Sequence, residues 1–257
     1  MSIPLPSHLS VAPIQNKPFG ARAEISPLYP GYGQTIGNAL RRILLSSLEG
    51  AGITSVKIKG ADHEFMALAH IKEEVLEIIL NLKQLHLKLF TNEPETITLA
   101  VKGKKNVTAN DFKKNSNVQI ANVDLPIATL THKDAELAIE AVVENGIGFS
   151  PVEEREKELE LGVISIDTVF SPITSVGYIV EDIRVGKQTD YDKLVMTLET
   201  NGTISPEEAI HRASQILVNQ LNFIVDQSGA LVQKEATLEI VPKKKKRATR
   251  KKKSDSP

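Results

Sequence analysis

The segment from Gly31 to Gly37 is the nearest approach to a phosphate-binding loop in this sequence. It opens a helical pattern, and the free amides at a helix N-terminus can hold an anion. Its glycine spacing is one residue too long for the dinucleotide-binding fingerprint, and Pro27 and Pro30 break the strand that should precede it. We therefore interpret the segment as a tight turn into a helix, with nucleotide binding as the alternative.

The sequence gives weaker support for a metal site or for catalytic acid and base residues. The six histidines are scattered, and His63-Glu64 is not followed by a second histidine four residues after the first. Asp182, Asp190 and Asp192 could suggest a magnesium site. However, Asp190 and Asp192 fall where we expect a hairpin turn, which favours aspartate in any case. We predict no catalytic residue, no metal site and no cofactor on this chain.

Arg41 and Arg42 are candidates for contact with a partner protein. On an amphipathic helix such a pair is ordinarily a solvated face. A planar guanidinium on a rigid helix nevertheless loses little freedom on pairing, which suits a protein interface. The residue types alone leave both interpretations open.

Charge is unevenly distributed along the 257 residues, which contain 31 Lys and Arg, 32 Asp and Glu and no Cys. From Pro242 to Pro257 there are nine Lys or Arg and one Asp, a net charge of +8. The remainder has 22 basic and 31 acidic residues, a net charge of −9. The lack of cysteine excludes disulfides and iron–sulfur clusters. The sequence has neither a signal peptide nor an apolar run of ~20 residues, so we expect a soluble, cytoplasmic protein without membrane contact.

Three helices are predicted from apolar spacing. The first runs from Thr35 to Leu48 and ends before Gly50. The second, from Glu73 to Lys83, is apolar nearly all round, so it is either buried or sandwiched between the core and a partner. The third begins at the capping box Ser205-Pro206-Glu207-Glu208 and carries an apolar stripe from Ile210 to Ile224. Each stripe must be buried against another surface.

Period-two alternation predicts strands over residues 53–58, 163–170, 175–185 and 193–199. Turns are expected at residues 171–172, 186–190 and 201–202. Several short alternating stretches between residues 85 and 160 indicate a small sheet-rich module. These periodicities permit an α+β fold.

Together these residues resemble the amino-terminal domain of the bacterial RNA polymerase α subunit. The matching strings are GYGQT at 31–35, GNALRRILLSS at 37–47, EVLEIILNLK at 74–83, FSP at 170–172, TDYDKL at 189–194 and ETNGTISPEEAI at 199–210. The resemblance covers residues 19–228. It is thin from 95 to 160, where GIGF at 146–149 is the main match.

The resemblance implies a dimerisation subdomain, an antiparallel sheet with two packing helices, built from residues 1–50 and 176–241. An inserted sheet-rich subdomain, residues 51–175, interrupts it, and a disordered lysine-rich tail occupies residues 242–257. In this family the first and last helices of two copies share one core. The implied dimer-interface residues are Ile36, Leu40, Ile43, Leu44, Ile210, Ala213, Ile216, Leu217, Leu221 and Ile224.

The implied function is assembly of DNA-dependent RNA polymerase. A homodimer of α contacts the β and β′ subunits, and the complete enzyme also contains ω and σ. Arg42 matches the family's arginine for the β contact, while Glu74, Lys83 and Ile166 match its large-subunit surfaces. Nucleotidyl transfer belongs to β and β′, so this chain would be a non-catalytic subunit located in the cytoplasm with the nucleoid.

The basic tail departs from the family, which usually continues into a carboxy-terminal DNA-binding domain. Ionic contacts to phosphates need no fold, so the tail could bind DNA without sequence preference. The candidate residues are Lys243, Lys244, Lys245, Lys246, Arg247, Arg250, Lys251, Lys252 and Lys253. The alternative is a solvated, disordered tail. Two other functions remain open, a stand-alone dimeric scaffold and a nucleotide-using enzyme.

Overall fold

The computed structural model describes residues 3–155 and 162–239. Three α-helices lie in these ranges: α1 (Tyr32–Ser46), α2 (Val75–Lys83) and α3 (Pro206–Glu239). The strands there are β1 (His8–Pro13), β2 (Gly20–Leu28), β3 (Glu49–Ile58), β4 (Leu87–Leu89), β5 (Glu95–Lys102), β6 (Lys105–Thr108), β7 (Val118–Ile120), β8 (Pro126–Leu130), β9 (Glu136–Ile147), β10 (Phe149–Ser150), β11 (Val163–Ser165), β12 (Thr168–Val169), β13 (Ile173–Val185) and β14 (Gln188–Thr200).

The first sheet joins strands from distant parts of the chain. Its order is β1-β2-β14-β13, and every neighbouring pair is antiparallel. Helix α1 packs on one face of this sheet. Leu40 and Leu44 from α1 share a buried cluster with Leu194, Met196 and Leu198 from β14. The amphipathic pattern of α1 is therefore satisfied largely by the chain's own sheet.

Two glycines allow α1 to approach the sheet closely. A Cβ atom added at Gly37 would lie 2.7 Å from the ring of Tyr178 and 2.8 Å from Leu194 Cδ1. One added at Gly33 would lie 2.8 Å from Val180 Cγ1. The glycines predicted as a helix-entry turn therefore serve helix packing as well.

The second sheet is built from the middle of the chain. Its order is β5-β9-β3-β4-β7, and β11 adds to β3. Helix α2 buries Val75, Ile78, Ile79 and Leu82 in the associated cluster. That cluster begins at Ala51 in sequence and ends at Ile166, whereas the first sheet's cluster comes from residues 23–48 and 173–213. The buried side chains thus form two separate cores.

Side chains connect the two outermost strands of the second sheet. Glu95 on β5 accepts hydrogen bonds from Asn115 Nδ2 at 3.3 Å and from Asn117 Nδ2 at 2.6 Å. Asn117 directly precedes β7. Two strands at opposite ends of the sheet order are therefore close in space, so the sheet curves back towards itself.

The chain divides after Leu217 into two compact units, and this division falls within helix α3. At its start, the Ser205 hydroxyl accepts a hydrogen bond from the Glu208 amide at 3.2 Å, which confirms that part of the predicted capping box. The Glu208 carboxylate pairs with Arg212 one turn later. Among the residues described, none of the helices combines the length and the apolar character that a membrane span requires.

The prediction of an α+β fold is confirmed, but several element bounds were wrong. Helix α1 starts at Tyr32 rather than Thr35. Helix α2 starts at Val75 rather than Glu73, and the Glu73 carboxylate accepts a hydrogen bond from the Thr129 amide at 2.6 Å. The strand predicted over 163–170 is two short strands, β11 and β12.

The prediction that Asp190 and Asp192 lie in a hairpin turn was also wrong. Strands β13 and β14 stay paired up to Val185 and Gln188, so the turn needs only two residues and both aspartates lie on β14. The expected strand break at Pro27 is likewise absent, since β2 continues to Leu28. Pro27 lies opposite a register shift in β14, where a missing amide is tolerated.

Candidate protein–protein interface

The helix N-terminus that suggested a phosphate site already holds an anion from the protein itself. The carboxylate of Asp192, a buried residue, accepts a hydrogen bond from the Gly33 amide at 2.9 Å. A bound phosphate there would meet this negative charge at close range. The strand leading into α1, β2, is antiparallel to both neighbours, unlike the parallel strand of a dinucleotide-binding unit. The geometry therefore weighs against nucleotide binding at Gly31 to Gly37.

The sequence could not predict the role of Asp192, because its partner is 159 positions away. Within the described ranges, no group of three or more His, Asp or Glu side chains could hold a metal ion.

The two arginines of α1 have different environments. Arg41 Nε donates to the Val176 carbonyl at 3.2 Å, which fixes this side chain to β13. Arg42 is exposed, and its guanidinium makes no ion pair with any residue in 3–155 or 162–239. Of the two, Arg42 is the one available to a partner.

The residues predicted for the dimer interface fall into three groups. Leu40, Leu44, Ile210 and Ala213 are buried in the chain's own core. Ile36, Ile43 and Ile216 are partly buried against that core, and Leu217 is also half-buried. Leu221 and Ile224 are 51% and 60% exposed. A second copy could therefore contact only the last two groups without repacking the core.

Helix α2 has a second apolar face, as its sequence pattern indicated. Leu76 and Leu80 are exposed although the opposite side of the helix is fully buried. They line a cleft of about 200 Å³ whose walls include Lys83, Ile166 and Asp167, which we call the α2 cleft. The Lys83 ammonium lies 3.8 Å from the Asp167 carboxylate at its border.

The residues predicted for large-subunit contacts are only partly together. Lys83 and Ile166 both line the α2 cleft, but Ile166 is only 2% exposed and belongs to the core. Glu74 is exposed at the opposite end of α2, where it precedes the first helical residue. Arg42 lies on α1, next to the other sheet. The basic residues from Lys243 to Lys253 lie outside the described residues.

Comparison with known proteins decides the family. A family model described as "RNA polymerase Rpb3/RpoA insert domain" matches residues 56–171. The DNA-directed RNA polymerase subunit alpha of Roseiflexus castenholzii is 44% identical over 216 residues, 84% of this chain and 67% of that relative. The chain belongs to the DNA-directed RNA polymerase α-subunit family.

Other members of the α-subunit family give the same result. The subunit of Oceanobacillus iheyensis is 46% identical over 212 residues, 82% of this chain and 67% of that relative. That of Lawsonia intracellularis is 48% identical over 206 residues, 80% of this chain and 59% of that relative. The predicted resemblance is confirmed, and it places the chain among the subunits of a nucleotidyltransferase complex. The matched insert region contains α2 and the Lys83 and Asp167 side chains of its cleft.

Proposed function

We propose that the chain forms a homodimer and that this dimer is the non-catalytic scaffold on which the β and β′ subunits of RNA polymerase assemble. The observation that carries the proposal is a run of exposed apolar side chains on α3 after Leu217. Catalysis would then reside in the large subunits, and the site of action would be the cytoplasm, with the nucleoid.

The exposed run on α3 follows helical spacing. Val218, Leu221 and Val225 are separated by three and four residues, so they lie along one side of the helix, and Ile224 borders them. Fully burying one such side chain stabilises a complex by about 1.5 to 3 kcal/mol before entropy costs. A second copy offers the same stripe across a two-fold axis, which makes the surface self-complementary.

A matched pair of variants tests the dimer. Leu221→Glu puts a carboxylate into the proposed apolar contact, which is unfavourable without a partner. Gln220→Glu adds the same charge at the neighbouring, exposed position. In sedimentation at micromolar concentration, we expect a monomer for Leu221→Glu and a dimer for both the parent chain and Gln220→Glu. A dimer with Leu221→Glu would contradict the proposal.

The division into subdomains is also proposed, with residues 1–50 and 176–241 forming the dimerisation part and 51–175 the insert. It is supported by the two buried clusters, since Leu48 belongs to one and Ala51 to the other. At the other boundary the cluster of the insert ends at Ile166, and the cluster of the dimerisation part resumes at Ile173, slightly before the proposed limit at residue 175.

Arg42 is the proposed contact for β. Its guanidinium is exposed and unpaired within the described residues, on a helix whose opposite face is held by the core. We expect Arg42→Ala to reduce co-purification of β without affecting the dimer. Asn38→Ala, one turn earlier on the exposed side of α1, is the control. Loss of the dimer in Arg42→Ala would show that this face has a different role.

The α2 cleft and Glu74 are proposed as a second large-subunit surface. Exposed Leu76 and Leu80 beside the Lys83–Asp167 pair combine apolar area with a charged border, as protein interfaces commonly do. Leu80→Ser should weaken co-purification of a large subunit, whereas Glu77→Ser on the same helix should not. If no β or β′ co-purifies with the parent chain either, a stand-alone scaffold becomes the better proposal.

The residues from Lys243 to Lys253 are proposed to bind DNA without sequence preference, with a purely solvated tail as the alternative. Each lysine or arginine that neutralises a phosphate releases a counterion, so binding through the tail should weaken as salt rises. Deleting residues 243–257 and measuring DNA affinity of the assembled polymerase over a salt series separates the two. An unchanged salt slope favours the solvated tail.

A further inference from the structure

A cavity lies along the outer edge of β7, where the second sheet curves back towards itself. Its volume is about 390 Å³, a size typical of small-molecule sites in proteins. We call it the β7 slot. The large apolar side chains that line it are Phe90, Ile97, Phe112, Val118, Ile120 and Val123. Phe90 and Val123 are 58% and 41% exposed, so they lie at the mouth, whereas Ile97, Phe112 and Val118 are buried.

The edge of β7 that faces the slot presents free backbone groups. On the opposite edge, the Ala121 amide donates to the His86 carbonyl at 2.9 Å. The Phe90 amide donates to the Asn117 carbonyl at the same distance. In an antiparallel pair, residues that bond to the neighbouring strand alternate with residues that face away from it. The N–H and C=O of Ile120 therefore point away from β4, on the side where β7 pairs with no other described strand.

The slot is closed at both ends, so its occupant must be compact. At one end, Asn115 forms a backbone bridge with Val118. At the other end, the Asn110 amide donates to the Val123 carbonyl at 2.9 Å. A peptide that recognises a sheet edge adds to it as an extended strand, and here such a strand would have to break one of these contacts. The geometry therefore favours a small molecule over a peptide.

The polar side of the slot is positively charged. Lys113 and Lys114 both line it and are exposed, and neither forms an ion pair with any residue in 3–155 or 162–239. The Lys88 ammonium is also close, 5.7 Å from the centroid of the Phe90 ring. Within the described part of the chain, no Asp or Glu contributes to the lining. A cavity lined in this way attracts a negatively charged ligand.

The acidic residues of the neighbouring segments do not cancel this charge. Asp111 pairs with Lys105 at 2.5 Å. Glu95 accepts hydrogen bonds from two asparagine amides. Asp124 follows Val123 in the sequence but does not line the slot. The lysines of the slot are therefore available to an anion from outside the chain.

We propose that the β7 slot binds a small amphipathic anion. Its aromatic or short aliphatic body fills the apolar floor, its anionic head pairs with Lys113 and Lys114, and the Ile120 amide donates to one of its polar atoms. Such a ligand contacts both β7 and residues 112–115, which are held to β5 by a hydrogen bond from the Lys113 amide to the Thr98 carbonyl at 2.8 Å. Binding therefore holds the two edges of the sheet together. This site is independent of the proposed scaffold role.

The test uses the full chain and two matched probes, 2-naphthoate and its uncharged analogue 2-naphthamide. Isothermal titration calorimetry should show saturable binding of 2-naphthoate, and 2-naphthamide should bind about tenfold more weakly because its head carries no charge. A ligand that binds the folded state also raises the Tm as its concentration increases. Equal affinities would overturn the assignment of an anionic head, and the lack of saturable binding would overturn the site.

A double variant removes the charge of the slot. Lys113→Gln/Lys114→Gln should lower the affinity for 2-naphthoate about tenfold and leave the affinity for 2-naphthamide unchanged. Lys104→Gln/Lys133→Gln is the control, since these two lysines are exposed but do not line the slot. If the control weakens 2-naphthoate binding as strongly, the anion is held by general surface charge and the inference is wrong.

Amide exchange locates the bound probe. Val123→Asp adds a negative charge at the exposed mouth, so it should prevent 2-naphthoate binding while the Tm of the free chain stays close to that of the parent. Exchange at Ile120 and in the rest of β7 should slow when 2-naphthoate is added to the parent, and not when it is added to Val123→Asp. Slower exchange only in other parts of the chain would place the probe at another site and overturn the inference.

An acidic peptide provides the competing outcome. If such a peptide slows exchange in β7 and 2-naphthoate does not, the slot is a peptide site and the small-molecule assignment is wrong. Both probes are tested on the purified chain without other subunits. Failure of either measurement therefore leaves the proposed dimer and its large-subunit contacts unaffected.

Discussion

The buried carboxylate of Asp192 accepts a hydrogen bond from the backbone amide of Gly33 at 2.9 Å, across 159 positions of the chain. This contact joins strand β14 to the first turn of α1. A negative group at that end of the helix also interacts favourably with the helix dipole. The absence of a side chain at Gly33 is what brings the two backbones close enough, since an added Cβ would lie 2.9 Å from the Asp192 carboxylate oxygen.

Removing this acceptor should destabilise the fold. Asp192→Ala leaves the Gly33 amide without its partner, and a buried unpaired group costs about 1 to 3 kcal/mol. We expect a lower midpoint of urea-induced unfolding. Asp190→Ala, at an exposed position of the same strand, is the control and should change stability by less than about 0.5 kcal/mol. Equal midpoints for the two variants would contradict this role for Asp192.

Adding a methyl group at Gly37 should also destabilise the protein. The new Cβ would lie within 2.8 Å of the Tyr178 ring and of Leu194 Cδ1, and overpacking of this kind costs about 1 to 3 kcal/mol. Gly177→Ala makes the same change where no atom lies within 4 Å. Calorimetry should therefore give a lower Tm for Gly37→Ala only. A parent-like Tm would mean that α1 can move away from the sheet at little cost.

The ion pairs of Glu24, on the first sheet, should make the free energy of unfolding depend on pH in the acid range. A hydrogen bond from the Lys193 ammonium, 2.9 Å away, lowers the pKa of Glu24 below its ordinary value of 4.5, and Arg22 acts in the same direction. A lowered pKa in the folded state stabilises the protein above pH 4.5, and this contribution is lost as the pH falls through the folded-state value.

The corresponding experiment compares the parent with Glu24→Gln. The Tm advantage of the parent should be present near neutral pH and should shrink as the pH falls from about 5 to about 3. Glu153→Gln, an exposed glutamate outside this ion cluster, should follow the parent throughout. A Tm difference for Glu24→Gln that does not change with pH would rule out this electrostatic origin.

The hydrogen bonds from Asn115 and Asn117 to Glu95 should affect the local opening of β7 more than the global unfolding of the protein. Glu95→Ala removes the acceptor for Asn115 and Asn117, both partly buried. We expect faster amide exchange in β7 with a small change in overall stability, because edge strands open locally. Glu93→Ala, an exposed residue just before β5, is the control. Unchanged exchange in β7 would show that the strand is held by other contacts.

Periodicity predicted the helices well because each has a continuous apolar face. Leu40 and Leu44 lie on the apolar side of α1 as the pattern indicated, but they are buried in the chain's own core, whereas they were predicted for the dimer interface. The Ser205 cap was predictable since its partner is only three residues away. In contrast, Asp192 shows no such pattern, because its partner Gly33 is 159 positions away and is brought close only by folding.

The spacing of apolar residues also could not distinguish side chains that are buried in the chain's own core from side chains that remain exposed. Leu40 and Leu221 belong to similar helical stripes, yet the first is buried within the chain and the second is half exposed. The hydrophobic effect has no direction, so a stripe indicates burial without identifying what covers it. Strand β10 was missed for a related reason, since its two residues are too few to show periodicity.

The order in which the sheet strands are synthesised has a consequence for folding on the ribosome. Strands β1 and β2 and helix α1 emerge first, but their core also needs residues from Ile173 onward. All residues of the cluster that ends at Ile166 are synthesised before Ile173 is added to the nascent chain. The middle of the protein can therefore fold while the apolar face of α1 stays uncovered, and early translation is when this chain is most exposed to aggregation.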